Sequence, residues 1–246
     1  MKAAALLDRF ETLVFDLDGT LIDTAADIRD NLSLALIDNG LAPLTPGRYP
    51  PDMHSPLRGI VLAQLAATGQ DSAAADDVVR AYQQRYAQHP HAASALYPGV
   101  RDYLASRERK GCRMAVCTNK RQAEALAVLK HFELLDFFSQ VIGADSAAHA
   151  KPDPAPLILT LNLLDSWPEE TLLIGDSHLD ALCAQRAGVG FVWHRAGYGG
   201  EEVLQHPINA SFDSFAELSE RGKLRSSLPP NAYQGECLYG LNKKLS

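Results

Sequence analysis

The sequence predicts an α/β fold in which a Rossmann-like parallel sheet is interrupted by an α-helical insert. Six short apolar runs alternate with longer amphipathic stretches, which is typical of strand-helix-strand units. The runs are apolar on both faces, as the buried strands of parallel sheets are. About a hundred residues separate the first run from the second, although a right-handed crossover needs only about a dozen. The length of this gap predicts a separate helical segment inserted between two strands.

The individual elements follow from local apolar spacing. The strands are expected, in order, at 12–16, 113–118, 140–144, 171–176, 189–193 and 208–212. Within the gap, apolar residues recur at helical spacing over 25–39, 57–68 and 78–86, which indicates a small helical bundle. The predicted division is therefore a core (1–23 and 97–220), a helical insert (24–96) and an irregular tail (221–246), with hinges near Asp23 and 97–99.

Composition excludes several classes of partner. The chain has 246 residues, of which 46% are hydrophobic and 22% charged, the balance of a globular protein with a buried core. Its 23 basic and 30 acidic residues give a net charge of −7, so we expect no nucleic acid or membrane partner. No apolar run approaches the roughly 20 residues that span a bilayer, and the four cysteines lack paired CxxC spacing. We expect a cytoplasmic protein without a zinc site or a disulfide framework.

Polar residues follow four of the predicted strands, at the edge of the sheet where open α/β folds bind their ligands. Taken singly, these patterns also fit an acidic turn, a helix cap or a solvated lysine. Burying carboxylates beside a strongly apolar strand is costly unless a cation compensates, and this predicts a divalent metal. The candidate residues are Asp16 and Asp18, then Thr118 and Asn119, then Lys151, and finally Asp176 and Asp180.

Taken together, these four elements resemble the haloacid dehalogenase-like (HAD) hydrolase superfamily. Its motifs are DxDGT, a strand ending in Thr or Ser, a Lys, and GDxxxD. In this chain they are DLDGT at 16–20, Thr118, Lys151 and GDSHLD at 175–180. The resemblance covers about 12–218 and implies a Rossmann-like HAD core whose insert is a C1-type helical cap.

Within the superfamily, the chain looks most similar to the phosphoglycolate phosphatase branch. The similar segments are YPGV at 97–100, TNK at 118–120, KPDPAPL at 151–157 and GYG at 197–199. The cap segment 51–59 departs from the Gly-rich stretch that many members carry. The resemblance implies a phosphatase acting on a small phosphorylated metabolite, with 2-phosphoglycolate as the candidate substrate.

The resemblance also implies a mechanism. Asp16 would attack phosphorus and become an aspartyl-phosphate, and Asp18 would protonate the leaving alcohol and later deprotonate water. Mg²⁺ would be held by Asp16, the backbone carbonyl of Asp18, and Asp176. Two roles are open for Asp180: it binds the metal through water, or it orients Lys151.

The phosphate itself would be bound by polar groups at two neighbouring strand ends. Thr118 would donate its hydroxyl, backbone N–H groups near Asn119 would add further donors, and Lys151 would supply positive charge. Arg58 in the cap is a candidate for a second anionic group of the substrate, and a surface salt bridge explains it equally well.

Three other functional interpretations of the motifs are considered. A sugar phosphomutase would retain all four motifs but return the phosphoryl group to substrate. A haloacid dehalogenase attacks carbon and has no use for an acid at Asp18, which argues against it. A degenerate regulatory binding module has no need to retain all four polar elements. Both a monomer and a homodimer are compatible with the sequence.

Overall fold

A computed structural model describes residues 3–88 and 91–219. The strands are β1 (Thr12–Phe15), β2 (Ile22–Asp23), β3 (Ala95–Leu96), β4 (Arg113–Cys117), β5 (Gln140–Ile142), β6 (Thr171–Gly175), β7 (Gly190–His194) and β8 (Ala210–Phe212). The α-helices are α1 (Ala3–Leu7), α2 (Ala25–Asp38), α3 (Leu57–Ala67), α4 (Ala75–Gln88), α5 (Val100–Arg109), α6 (Gln122–His131), α7 (Ala155–Leu164), α8 (His178–Ala187) and α9 (Phe215–Leu218).

Six of the strands form one parallel sheet in the order β5-β4-β1-β6-β7-β8, which confirms the predicted fold class. All six predicted strands are present, and most end one or two residues earlier than expected. The central strand β1 pairs with β4 and β6, so that Phe15 lies beside Val116 and Ile174. Because these strands are parallel and in register, the residues that follow each of them meet at one edge of the sheet.

Both faces of the sheet are covered by apolar clusters, as the continuous apolar strands predicted. Along β1, Leu13 and Phe15 belong to one cluster, whereas Val14 belongs to the other. This alternation follows from the two-residue period of a strand. The first cluster contains α5, whose fully buried Tyr103 meets Phe15 edge to face. The central strand is therefore immobilised from both sides, and the residue that follows it has a well-defined position.

The three helices predicted within the gap are present as α2, α3 and α4. They share an apolar cluster of their own, which includes Leu36, Val61 and Tyr82. The two chain segments that lead into and out of the insert run side by side, because β2 and β3 pair antiparallel with Ile22 opposite Leu96. This short ribbon lies at the two predicted hinges.

The tail predicted at 221–246 lies outside the described residues. Of the four cysteines, Cys112, Cys117 and Cys183 are within the described part, and each is a free thiol. Among residues 3–88 and 91–219, no helix has the length and apolar character needed to cross a membrane.

Candidate active site

Asp16 lies at the centre of the site, directly after β1. Its backbone N–H donates to the carbonyl of Ile174 at 2.8 Å, which continues the β1–β6 ladder by one residue. Its carboxylate Oδ1 lies 2.9 Å from Nζ of Lys151. Burial raises the pKa of Asp16 to about 7, although the charge of Lys151 acts in the opposite direction. The carboxylate therefore needs further positive charge to be fully ionised at neutral pH.

Lys151 connects three elements of the core. Its ammonium donates to Oδ1 of Asp180 at 2.6 Å and to the carbonyl of Cys117 at 2.9 Å, in addition to its contact with Asp16. The side chain is almost completely buried. Burial alone would lower the pKa of Lys151, but the carboxylates of Asp16 and Asp180 outweigh it and raise that pKa well above its ordinary value. A permanent positive charge is thus held beside the Asp16 carboxylate.

Asp180 lies in the first turn of α8 and has both carboxylate oxygens occupied. Oδ1 accepts from Lys151, and Oδ2 accepts from the backbone N–H and the hydroxyl of Ser177 at 3.1 and 2.6 Å. Ser177 and Asp180 form a reciprocal capping box, which anchors the start of the helix. Burial alone would raise the pKa of Asp180, but the charge and hydrogen bond of Lys151 outweigh it and lower that pKa.

Asp176 is the third buried carboxylate. Thr20 donates its hydroxyl to Oδ1 at 2.8 Å, and the backbone N–H of Tyr198 donates to Oδ2 at 2.8 Å. Burial, followed by the charges of Asp180 and Asp16, raises the pKa of Asp176 well above its ordinary range. Single oxygens of these three aspartates lie within 4.8 Å of one another. Three carboxylates beside one lysine leave an excess of negative charge, and carboxylate oxygens this close together suit a divalent cation.

Glycines make room for the Asp176 carboxylate, and this leads to a testable prediction. A Cβ on Gly197 would overlap Cβ of Asp176 and the carbonyl of Gly19. We expect Gly197→Ala to lower the free energy of unfolding by about 1–3 kcal/mol, because a crowded backbone cannot yield without strain. Urea denaturation measures this loss. The matched control is Gly200→Ala, whose Cβ would meet only the flexible end of Glu202, and equal losses in the two variants would contradict the expectation.

Asp18 has a different set of partners from these three carboxylates. Its Oδ1 accepts from the hydroxyl of Thr24 at 2.7 Å, and both of its oxygens lie 3.0 Å from Nζ of Lys120. Lys120 lies at a predicted strand end, but no functional role was predicted for it from the sequence. The available signal was its position within the polar segment that follows β4. Burial alone would lower the pKa of Lys120, but Asp18 and the neighbouring Tyr86 raise it well above its ordinary value.

Thr118 and Asn119 follow β4 and lie beside the carboxylates. The Thr118 side chain is buried, and its hydroxyl oxygen accepts from the backbone N–H of Lys120 at 3.2 Å. The Asn119 amide donates to the carbonyls of His54 and Lys151 at 2.9 and 3.0 Å. Its NH₂ group thus joins the lysine loop to the insert.

A cavity of about 390 Å³ separates these strand ends from the insert. Asp16, Asp18 and Thr118 line its floor, and residues of α3 and α4 line the opposite wall. Arg58, predicted as an anion-binding residue, is on this wall and is half-exposed, with its Nε 2.8 Å from Oδ1 of Asp76. The structure thus places Arg58 at the cavity and also in a salt bridge within the insert.

His54 is a second residue whose place at the site the sequence did not reveal. It comes from the insert, and its Nδ1 lies 3.9 Å from Oδ2 of Asp176. Its ring meets His178 edge to face at 6.0 Å between centroids. Burial lowers the pKa of His54. A loop of the insert therefore reaches the carboxylate cluster directly, a contact between segments more than a hundred residues apart.

Comparisons with known proteins show the family to which this chain belongs. The family model described as haloacid dehalogenase-like hydrolase matches residues 13–194. A phosphoglycolate phosphatase of Rhodospirillum rubrum is 34% identical over 216 residues, which cover 85% of this chain and 90% of the relative. A phosphoglycolate phosphatase of Rhodobacter capsulatus is 35% identical over 212 residues, covering 84% of this chain and 94% of the relative.

A solved structure supports the same assignment. It is that of a Bacteroides fragilis protein described as a haloacid dehalogenase-like hydrolase, which superposes with a TM-score of 0.77 at 26% identity. The match covers 85% of this chain and 99% of that protein. The resemblance first seen in four short motifs thus extends over most of the sequence, and the chain belongs to the haloacid dehalogenase-like hydrolases.

Proposed function

We propose that this hydrolase is a magnesium-dependent phosphatase that cleaves a small phosphomonoester through an aspartyl-phosphate, with 2-phosphoglycolate as the first candidate substrate. The observation that carries the proposal is the contact of buried Asp16 with Lys151 at 2.9 Å on the floor of an open cavity. A carboxylate nucleophile beside a fixed cation suits attack on a phosphoryl group. The names of the two relatives support this substrate class, since both are called phosphoglycolate phosphatase.

The residues present fit a magnesium ion. Asp16 and Asp176 would hold it together with the backbone carbonyl of Asp18, since Mg²⁺ prefers oxygen ligands. For Asp180 the sequence left two roles open, binding the metal through water or orienting Lys151. We assign it the second, because both of its oxygens already accept hydrogen bonds. When bound, the ion would neutralise negative charge on the carboxylates and on the substrate phosphate.

The chain's own residues then carry the reaction. Asp16 attacks phosphorus, the bond from phosphorus to the ester oxygen breaks, and Asp18 donates its proton to the departing alkoxide. Water next attacks the phosphorus of the aspartyl-phosphate, with its proton passing to Asp18. The bond from phosphorus to the Asp16 oxygen breaks, which restores the carboxylate and releases inorganic phosphate. Throughout, Lys151 and the Thr118 hydroxyl stabilise charge on the phosphoryl oxygens.

We further propose that residues 24–96 act as a cap over a core formed by 1–23 and 97–220. The insert has its own apolar cluster, and the paired strands β2 and β3 confine its two connections to one narrow ribbon. Such an arrangement would allow the insert to move as a unit about the β2–β3 ribbon. Closure of the insert over the cavity would exclude water and bring its wall against the leaving group.

Phosphate release from a panel of phosphomonoesters tests the proposal. With Mg²⁺ we expect turnover, and with EDTA we expect a loss of at least about 100-fold, because the unneutralised carboxylates repel the substrate dianion. The panel should contain 2-phosphoglycolate, sugar phosphates and nucleotides. Turnover that persists in EDTA would contradict the metal requirement. Equal rates across the panel would contradict the narrower choice of 2-phosphoglycolate and leave the phosphatase class intact.

A further inference from the structure

We propose that Lys120 is a positioning residue that holds the Asp18 carboxylate in place for proton transfer, and that the insert in turn holds Lys120 through Tyr86. The inference rests on the proposed function, in which Asp18 protonates the leaving group. It adds Lys120, on the core side of the cavity, to the residues that support the reaction, and it makes the position of Asp18 depend on the insert.

The contacts of Asp18 are the first support. Nζ of Lys120 lies 3.0 Å from both Oδ1 and Oδ2, a symmetric two-point contact that fixes the plane of the carboxylate. The hydroxyl of Thr24 adds a third contact at 2.7 Å to Oδ1. The side chains of Lys120 and Asp18 are only 5% and 16% exposed, so water competes weakly for this pair. A carboxyl group whose plane is fixed in this way needs little reorganisation when a proton moves to or from it.

The contact between Lys120 and the insert is the second support. Nζ lies 5.1 Å from the ring centroid of Tyr86, which is a cation–π distance. Tyr86 is itself buried: it stacks on Tyr82 with ring centroids 5.7 Å apart, and its hydroxyl lies 3.2 Å from Nδ1 of His91. Lys120 therefore joins an acid of the core to an aromatic pair of the insert. The position of the insert and the position of the Asp18 carboxylate are therefore linked through the Lys120 ammonium group.

This role predicts a dependence on the leaving group that general damage to the site would not produce. An alkoxide needs a proton as it departs, whereas 4-nitrophenolate departs readily without one. We expect Lys120→Met to lower kcat/KM for benzyl phosphate by about 10- to 100-fold, less than the roughly 10²- to 10⁴-fold that acid catalysis typically contributes, because the acid is misplaced and not removed. For 4-nitrophenyl phosphate the loss should stay below about 3-fold. The ratio kcat/KM is used because it covers steps only up to departure of the alcohol or phenol.

Three further variants sharpen the test. Asp18→Asn should show the same selectivity for benzyl phosphate with a larger loss, and Tyr86→Leu should show it with a smaller one. Lys120→Arg retains a positive charge and should recover part of the lost activity. Lys110→Met is the matched control, because that lysine also pairs with an aspartate, Asp8 at 3.1 Å, but lies outside the cavity lining.

The outcomes separate the alternatives. Equal losses on the two esters in Lys120→Met would overturn the proposal, since binding of the substrate dianion or general disruption would affect both alike. Circular dichroism checks that the variant folds; if it does not, Tyr86→Leu carries the test, because it leaves the Lys120–Asp18 pair in place, and equal losses there would overturn the proposal in the same way. A wild-type protein that releases phosphate with Mg²⁺ neither from these two esters nor from the panel of phosphomonoesters would contradict the proposed function itself.

Discussion

Asp16→Asn is expected to abolish phosphatase turnover while leaving the fold intact. An amide cannot attack phosphorus as a carboxylate does, and loss of a nucleophile typically lowers kcat by roughly 10⁴-fold or more. Phosphate release with Mg²⁺ measures the loss. Mass spectrometry of acid-quenched samples should find the added mass of a phosphoryl group on the wild type and not on the variant. Asp30→Asn, an exposed aspartate paired with Arg29, is the control.

The same variant also tests the environment of Asp16. Its pKa is about 7 in the folded protein and about 3.9 in an unfolded chain. Between these values the folded state binds more protons, so this group lowers the free energy of unfolding as pH rises from about 4 to about 7. In EDTA, Asp16→Asn should therefore be more stable than wild type at pH 8, and the difference should vanish near pH 4. Residual turnover above about 1% of wild type, with the variant folded, would argue against Asp16 as the nucleophile.

Lys151→Met is expected to lower both activity and stability. Removing the ammonium leaves Asp16 and Asp180 buried without their shared cation, and breaking a buried ion pair in this way costs about 3–5 kcal/mol. The free energy of unfolding in urea, measured in EDTA, reports the stability. Turnover should fall by at least about 100-fold, because positive charge beside the transferred phosphoryl group is lost. Lys130→Met, at an exposed lysine of α6, is the control.

A double variant separates an unpaired charge from a loss of packing. If the destabilisation in Lys151→Met comes from the stranded carboxylates, then adding Asp180→Asn should restore part of the lost stability. It should restore no activity. A double variant that is less stable than Lys151→Met alone would show that shape, and not charge, dominates at this position.

Much of the fold could be predicted because the relevant signals are local. A strand buried on both faces is rich in apolar residues, as 13–15 and 172–174 are. Helical spacing marked α2 and α3 to within one residue at each end. The boundary of α4 was less accurate: the prediction began at Val78, whereas the helix begins at Ala75. Acidic residues in the first turn favour helix starts without any apolar signal, so apolar spacing alone misses that turn.

The site followed from the sequence only in part. Parallel strands align their carboxyl ends, so residues that follow β1, β4 and β6 must lie close together, and Asp16, Thr118 and Asp176 do. The partners of these residues were not predictable in the same way. His54 reaches Asp176 from a loop of the insert, and no periodicity in the sequence encodes that approach.

The six strands of the sheet, the three helices of the insert and the candidate carboxylates that follow the strands were already indicated by the amino-acid pattern, because strand and helix signals depend on neighbours a few residues apart. The partners of the aspartates were not. Lys151 lies between Asp16 and Asp180, and Lys120 faces Asp18. Those pairings join residues about 30 to 135 positions apart, and only the folded chain brings their charges within 3 Å.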